Sequence, residues 1–188
     1  METDVTDLDD DDLMRLYHAG DVNAFDVLFD RHYRAVYHFA WSLLHDATEA
    51  MDVLQETFLV VAHKAVDYQP RGHLKSWLLR ICRNRCLNII EKNNLRNKIA
   101  KESGFEILVS MNATLAPDAA VEYDEQVALV LARMETLPER QREAILLFAF
   151  ENMKYRDIAD VLEMPINTVK TLIYRARQTL ADALKGGA

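Results

Sequence analysis

The stretch "MPINTVKTLIYRAR", residues 164–177, gathers Lys170, Arg175 and Arg177 with no acid among them. At about 100° per residue, Ile166, Val169, Leu172, Ile173, Ala176 and Leu180 share one face of a helix. Asn167, Thr171, Tyr174 and Gln178 fall on the opposite face, Lys170 and Arg175 flank that strip, and Arg177 lies nearer the apolar edge. Short polar side chains placed this way reach base edges in a major groove, while flanking cations reach phosphates. An ordinary amphipathic surface helix has the same outline. The preceding "YRDIADVLE" favours nucleic acid, because it supplies a short helix and a three-residue turn ahead of the longer one. Glu163 stands in that turn, where glycine is usual, and must accept the backbone angle the turn imposes.

A second group with nucleic-acid chemistry lies mid-chain. "DYQPRGH" offers an aromatic (Tyr68), an amide (Gln69), a base (Arg71) and His73 on a Pro-Gly turn. The helix that follows puts Arg80 and Arg83 away from an apolar stripe, and Lys92, Arg96, Lys98 and Lys101 come after. Cations beside an aromatic loop suit single-stranded nucleic acid: charges track the backbone while a pocket holds an unstacked base. Trp77 falls within the stripe and is expected in the core.

A third group has the opposite charge. Glu49, Asp52 and Glu56 recur at i, i+3 and i+7 with Gln55 beside them. Such a ridge cannot favour DNA; if it binds anything, the partner is a basic protein surface, where charge complementarity sets register. Nothing in the chain suggests catalysis. There is no phosphate-binding glycine loop, no HExxH and no Ser/His/Asp set that helical periodicity would bring together. Cys82 and Cys86, four apart on one helix, read as small core residues, and the six histidines have no ligand spacing. No enzyme activity, metal or cofactor is expected.

Helices must position all three groups. The chain has 188 residues, half of them apolar, with five Gly and four Pro, which fits helices joined by short turns. Leu13, Leu16 and Tyr17 mark a first helix that Gly20 ends, and Asp21 or Asn23 can cap the second, whose stripe runs from Phe25 to Leu44. Met51, Leu54, Phe58, Val61 and Ala65 form the stripe of the third; Leu74, Trp77, Leu78, Ile81, Cys82 and Ile89 that of the fourth. Periodicity fades across "SGFEILVSMNATLAPD" and resumes at Tyr123, with further helices over 139–150, 155–162 and from Pro165 to about Leu184. Pro165 suits a first helical turn, where its missing N–H costs nothing. The expectation is an all-α fold of two small helical domains, residues 10–101 and 123–185, joined by a flexible linker over 102–122.

Charge is distributed in blocks. The net charge is −8, yet residues 1–30 carry ten acids against Arg15 alone, and residues 71–101 carry nine bases against Glu91 alone. With a Debye length of about 8–10 Å at physiological salt, local patches govern binding more than the total does. The acidic opening lacks the basic-then-apolar order of a secretory signal, and no apolar run approaches the ~18 residues of a membrane span. A soluble cytoplasmic protein without membrane insertion is expected.

"DVLQETF", "SWLLRICRN", "LPERQRE" and "NTVKTLIYRAR", in this order and spacing, resemble the extracytoplasmic-function (ECF, group IV) sigma factors of bacterial RNA polymerase, across nearly the whole chain. Residues 24–90 look like sigma region 2 and residues 137–180 like region 4. The resemblance implies promoter-specific initiation by a subunit that binds core polymerase. It implies docking of Glu49, Asp52, Gln55 and Glu56 on the polymerase's largest subunit. It gives Asp67, Tyr68, Gln69, Arg71, His73, Arg80, Arg83, Asn84 and Asn88 the recognition and opening of the −10 element on the non-template strand. Asn167, Thr168, Lys170, Thr171, Tyr174, Arg175 and Arg177 would read the −35 element as duplex. An anti-sigma factor is a further partner the resemblance suggests. Met51 stands where the family usually has an acid, Asn88 where Asp is common and Cys82 where Ala is common. The rival reading is a stand-alone helix-turn-helix regulator, which binds duplex operators without polymerase.

Overall fold

Four consecutive aspartates, Asp9–Asp12, begin the first long element. The Asp9 carboxylate accepts the Asp12 amide at 2.8 Å and so caps α1 (Asp10–His18), whose first turn holds three acids at the positive end of the helix dipole. A short 3-10 turn, Val5–Asp7, precedes it. Gly20, at φ 101°, turns the chain, and Asp21 caps α2 (Val22–Leu44) by accepting the Asn23 amide at 3.0 Å. His45 closes α2 in the left-handed region, and Asp46 accepts the Thr48 and Glu49 amides to start α3 (Ala47–Lys64). α4 is the longest helix among the described residues, Leu74–Glu102.

The computed structural model describes residues 5–64, 68, 73–102, 134 and 136–185. Ala65, Asp67, Gln69, Arg71, the linker expected beyond Glu102 and the helical pattern expected from Tyr123 lie outside the described residues, Met134 excepted. The chain divides into two compact units, Met1–Ala116 and Pro117–Ala188. Every regular element among the described residues is helical.

In the first unit α2 lies against α1, α3 and α4, and α3 also packs on α4. Aromatic rings join three of these helices: Tyr17 and Phe25 at 4.9 Å, Phe25 and Phe58 at 6.1 Å, Phe29 and Phe58 at 4.8 Å between centroids. Such tilted and edge-on pairs add stability beyond their buried area. Cys82 and Cys86 are free thiols in the core, and burial pushes the Cys82 thiol up, leaving it protonated and inert.

The second unit contains α5 (Glu139–Ala149), α6 (Tyr155–Leu162) and α7 (Ile166–Lys185), each in contact with the other two. Leu147, Ile158, Leu162 and Ile173 form its core, and Phe148 stacks on Tyr155 at 5.3 Å. Among the described residues no helix is long and apolar enough to cross a membrane.

Candidate nucleic-acid interface

α6 and α7 are joined by Glu163, Met164 and Pro165. Glu163 takes φ 52° and ψ 49°, the left-handed conformation glycine would supply, and the Glu163 and Met164 amides both donate to the Ala159 carbonyl. Pro165 sits one residue earlier than the expected first-turn position. It precedes α7, and its carbonyl accepts the Thr168 and Val169 amides at 2.9 and 3.2 Å. Val169, Ile173 and Ala176 are buried, while Leu172 and Leu180 are half-buried. Ile166, expected on the buried face, is 39% exposed, because burial begins one turn later at Val169.

Asn167, Thr168, Lys170, Thr171, Tyr174, Arg175 and Arg177 are all exposed. The Thr171 hydroxyl donates to the Asn167 carbonyl at 2.9 Å on the exposed face. Gln178 Nε2 donates to the Tyr174 hydroxyl oxygen at 2.7 Å and steadies a ring that is 62% exposed. This strip of short polar groups and one aromatic, edged by cations, has the composition of a base-reading surface.

The acidic ridge of α3 is divided. Asp52, Gln55 and Glu56 face solvent, whereas Glu49 is half-buried and accepts from Asn93 Nδ2 of α4 at 3.3 Å. Glu56 meets Arg85 at 3.4 Å with both side chains about half exposed, a pair that contributes little to stability. Met51, expected in the core, is 43% exposed. Ala50, Val53, Leu54, Thr57, Phe58 and Val61 make the buried face instead, so Ala50 takes the place expected for Met51. Leu59, which lies off the apolar stripe, is 58% exposed and borders an open groove with Glu56, Val60, His63, Lys64 and Arg85. An apolar floor between charged walls suits a protein partner better than DNA.

Of the mid-chain group, Tyr68, His73, Arg80, Arg83, Asn84 and Asn88 are described. His73, Arg80, Asn84 and Asn88 are exposed. Arg83 is a correction: it is 3% exposed, inside the packing of α4. The buried face of α4 includes Ser76, Leu79 and Cys86 as well as Leu78 and Cys82, so the buried arc extends beyond the apolar stripe and takes in Arg83. Arg83 therefore does not present a guanidinium to solvent. Trp77 is the converse correction. It is half-buried rather than in the core, with its ring 5.5 Å from that of Tyr68.

Tyr68 is tied at its other end too. Its hydroxyl donates to Asp11 Oδ1 at 2.6 Å. Burial first, and then the Asp11 carboxylate, push the phenol well up, so the group stays protonated and keeps donating. Beside it, Arg31 Nη1 donates to Asp10 Oδ1 at 2.6 Å, and His32 Nε2 lies 2.8 Å from Asp10 Oδ2. Arg31 Nη2 also donates to the Thr6 and Leu8 carbonyls at 3.1 and 3.0 Å. Burial alone would push the Asp10 carboxyl up; hydrogen bonds and charge from His32 and Arg31 outweigh it and hold the group below its ordinary value. These links span 21 to 57 residues, so no local pattern announces them.

Sigma-70 region 2 matches residues 28–96, and sigma-70, region 4, matches residues 128–180. The RNA polymerase sigma-H factor of Pseudomonas aeruginosa is 31% identical over 186 residues, which cover 96% of each chain. The ECF RNA polymerase sigma factor SigE of Mycolicibacterium smegmatis is 31% identical over 162 residues, 86% of this chain and 62% of that one. The chain belongs to the ECF sigma factors of the sigma-70 family. Among solved structures, CnrH in complex with the cytosolic domain of CnrY has a TM-score of 0.68 at 25% identity, covering 95% of this chain and 99% of that one. RpoE of Bartonella quintana, solved with the anti-sigma factor NepR, has a TM-score of 0.65 at 25% identity, covering 87% and 98%. The protein is an RNA polymerase sigma factor, and the family consists of transcription initiation factors that are not themselves enzymes. In this sigma factor the region 2 match begins at Leu28, within α2, and leaves α1 outside.

Proposed function

We propose that this sigma factor directs core RNA polymerase to promoters through two separate DNA readers and one docking ridge. Residues 10–101 bind core polymerase and recognise and melt the −10 element, residues 102–122 link, and residues 123–185 read the −35 element. Asp52, Gln55 and Glu56, with Glu49 behind them, dock on core; Tyr68, His73, Arg80, Asn84 and Asn88, with Asp67, Gln69 and Arg71, engage the −10 strand. Arg83 acts through packing rather than contact.

The observation that carries this reading is α7. Asn167, Thr168, Thr171 and Tyr174 form an exposed strip edged by Lys170, Arg175 and Arg177, over a face buried at Val169, Ile173 and Ala176. Two weak readers on one chain gain affinity only when their spacing is fixed, and core polymerase is the body that fixes it. The factor acts in the cytoplasm and catalyses nothing alone. An anti-sigma factor is a further proposed partner, supported by the solved RpoE complex with NepR.

Run-off transcription with purified core enzyme tests the proposal. Promoter-specific transcripts from a cognate template, lost when Asp52 and Glu56 are both changed to Lys, are expected. Normal core affinity in that double variant would refute the docking role. Tight, specific duplex binding without core polymerase would favour a stand-alone regulator.

A further inference from the structure

α1 lies outside the residues that match sigma-70 region 2, yet one of its carboxylates reaches the aromatic of the mid-chain loop. Asp11 Oδ1 accepts the Tyr68 hydroxyl at 2.6 Å, and the Tyr68 ring lies 5.5 Å from Trp77 near the start of α4. Asp11 is itself held firmly. Asp9 caps the helix, Asp10 is clasped by Arg31 and His32 of α2, and Leu13 and Met14 are fully buried. Tyr68 is thus gripped at its hydroxyl by one anchored helix and at its ring by another.

An aromatic that takes up an unstacked base works best when its orientation is set before binding, since ordering a free ring subtracts from the stacking gain. A carboxylate beside a DNA-binding loop is otherwise a liability, because it repels phosphate. Here one of its oxygens faces the Tyr68 phenol, which donates to it. We propose that Asp11 is a positioning residue for promoter melting, holding Tyr68 in the orientation in which it receives a −10 base. This rests on the reading of the Tyr68 loop as a −10 reader.

The test uses holoenzyme assembled from purified core and each variant. The probes are the non-template −10 strand as a labelled oligonucleotide, from a template that works in the run-off assay, and the −35 duplex of that template. Asp11→Ala and Tyr68→Phe are each expected to weaken binding of the −10 strand about five- to tenfold, the scale of one lost hydrogen bond. The double variant should be no weaker than either single one. Asp11→Asn, which keeps an acceptor oxygen, should retain most of the affinity. The −35 binding should not move, and Asp11→Ala and Tyr68→Phe should lower the Tm of the free factor alike and only slightly, as the loss of one shared hydrogen bond requires. Unchanged or tighter −10 binding by Asp11→Ala, while Tyr68→Ala loses it, overturns the positioning role and leaves the −10 reading intact. Equal losses on both probes mark a structural role and also overturn it. If Tyr68→Ala has no effect, the loop reading falls and the positioning role with it.

Discussion

Arg83 and Arg175 are both arginines on long helices, and they have opposite fates. At about 100° per residue, the buried positions of α4 between Leu74 and Cys86 (Leu74, Ser76, Leu78, Leu79, Cys82, Arg83 and Cys86) span about 200° of its circumference. Those of α7 (Val169, Ile173 and Ala176) span about 60°. α4 is flanked by α2 and α3, of 23 and 18 residues, which also pack on each other. Among the described residues, α7, with 20 residues, packs on α5 and α6, of 11 and 8. Two long neighbours cover a helix beyond its apolar stripe, and two short ones leave most of it open. A reader built on a wrapped helix therefore depends on its ends and its loop, whereas one built on α7 uses the helix face itself.

The sharpest way to break this contrast is to truncate both arginines. Arg83→Ala is expected to destabilise the first unit by about 3 kcal/mol, through the lost packing of its buried stem and the cavity it leaves. Arg175→Ala should leave stability within about 0.5 kcal/mol. Thermal unfolding checks both, and equal shifts in Tm would erase the distinction.

DNA binding should reverse the ranking of surface and core. Lys170→Ala or Arg175→Ala is expected to weaken holoenzyme binding to the −35 duplex by about 1–3 kcal/mol where a base contact is lost. Loss of a phosphate contact would instead lower the salt slope by about one. Fluorescence anisotropy at several salt concentrations separates the two. Unchanged promoter use would mean that the reading face lies elsewhere on α7.

The Asp10 clasp gives the first unit a pH dependence of its own. The folded carboxyl titrates below its ordinary value of 3.8, so its contribution is present above that pH and is lost as pH falls through the lower folded value. Asp10→Asn should cost about 1 kcal/mol at neutral pH, discounted for partial exposure, and should flatten acid unfolding below about pH 4. A denaturation series across pH 2–6, an interval of about four units around the carboxylate range, checks the sign.

The smallest effect lies in the turn. Glu163→Gly removes the penalty of a left-handed non-glycine residue and should stabilise the second unit by up to about 1 kcal/mol, with −35 affinity unchanged. A lowered Tm would show that the glutamate side chain supports the turn in a way its backbone angle does not reveal.

The exposed polar strip of α7 is legible in the sequence, because Asn167, Thr171 and Tyr174 lie on one face by the helical repeat alone. The caps at Asp9 and Asp21 and the turn at Gly20 are equally local, each set by a side chain or a φ angle within three residues. Arg83, Trp77 and Met51 depart from the helical pattern for a common reason. Periodicity gives the direction of a side chain around its helix but not how far neighbouring helices wrap around it. Spacing puts Glu49 on the ridge, but Asn93, 44 residues away, draws it toward α4.

The helices, the order of the two units and the face of α7 follow from the amino-acid sequence alone, since each rests on contacts within one or two turns. The burial of Arg83, the departure of Glu49 from the ridge and the grip of Asp11 on Tyr68 come from tertiary packing. Those outcomes depend on which helices meet and how much of each they cover. Packing free energy settles this across tens of residues, and no local pattern encodes it.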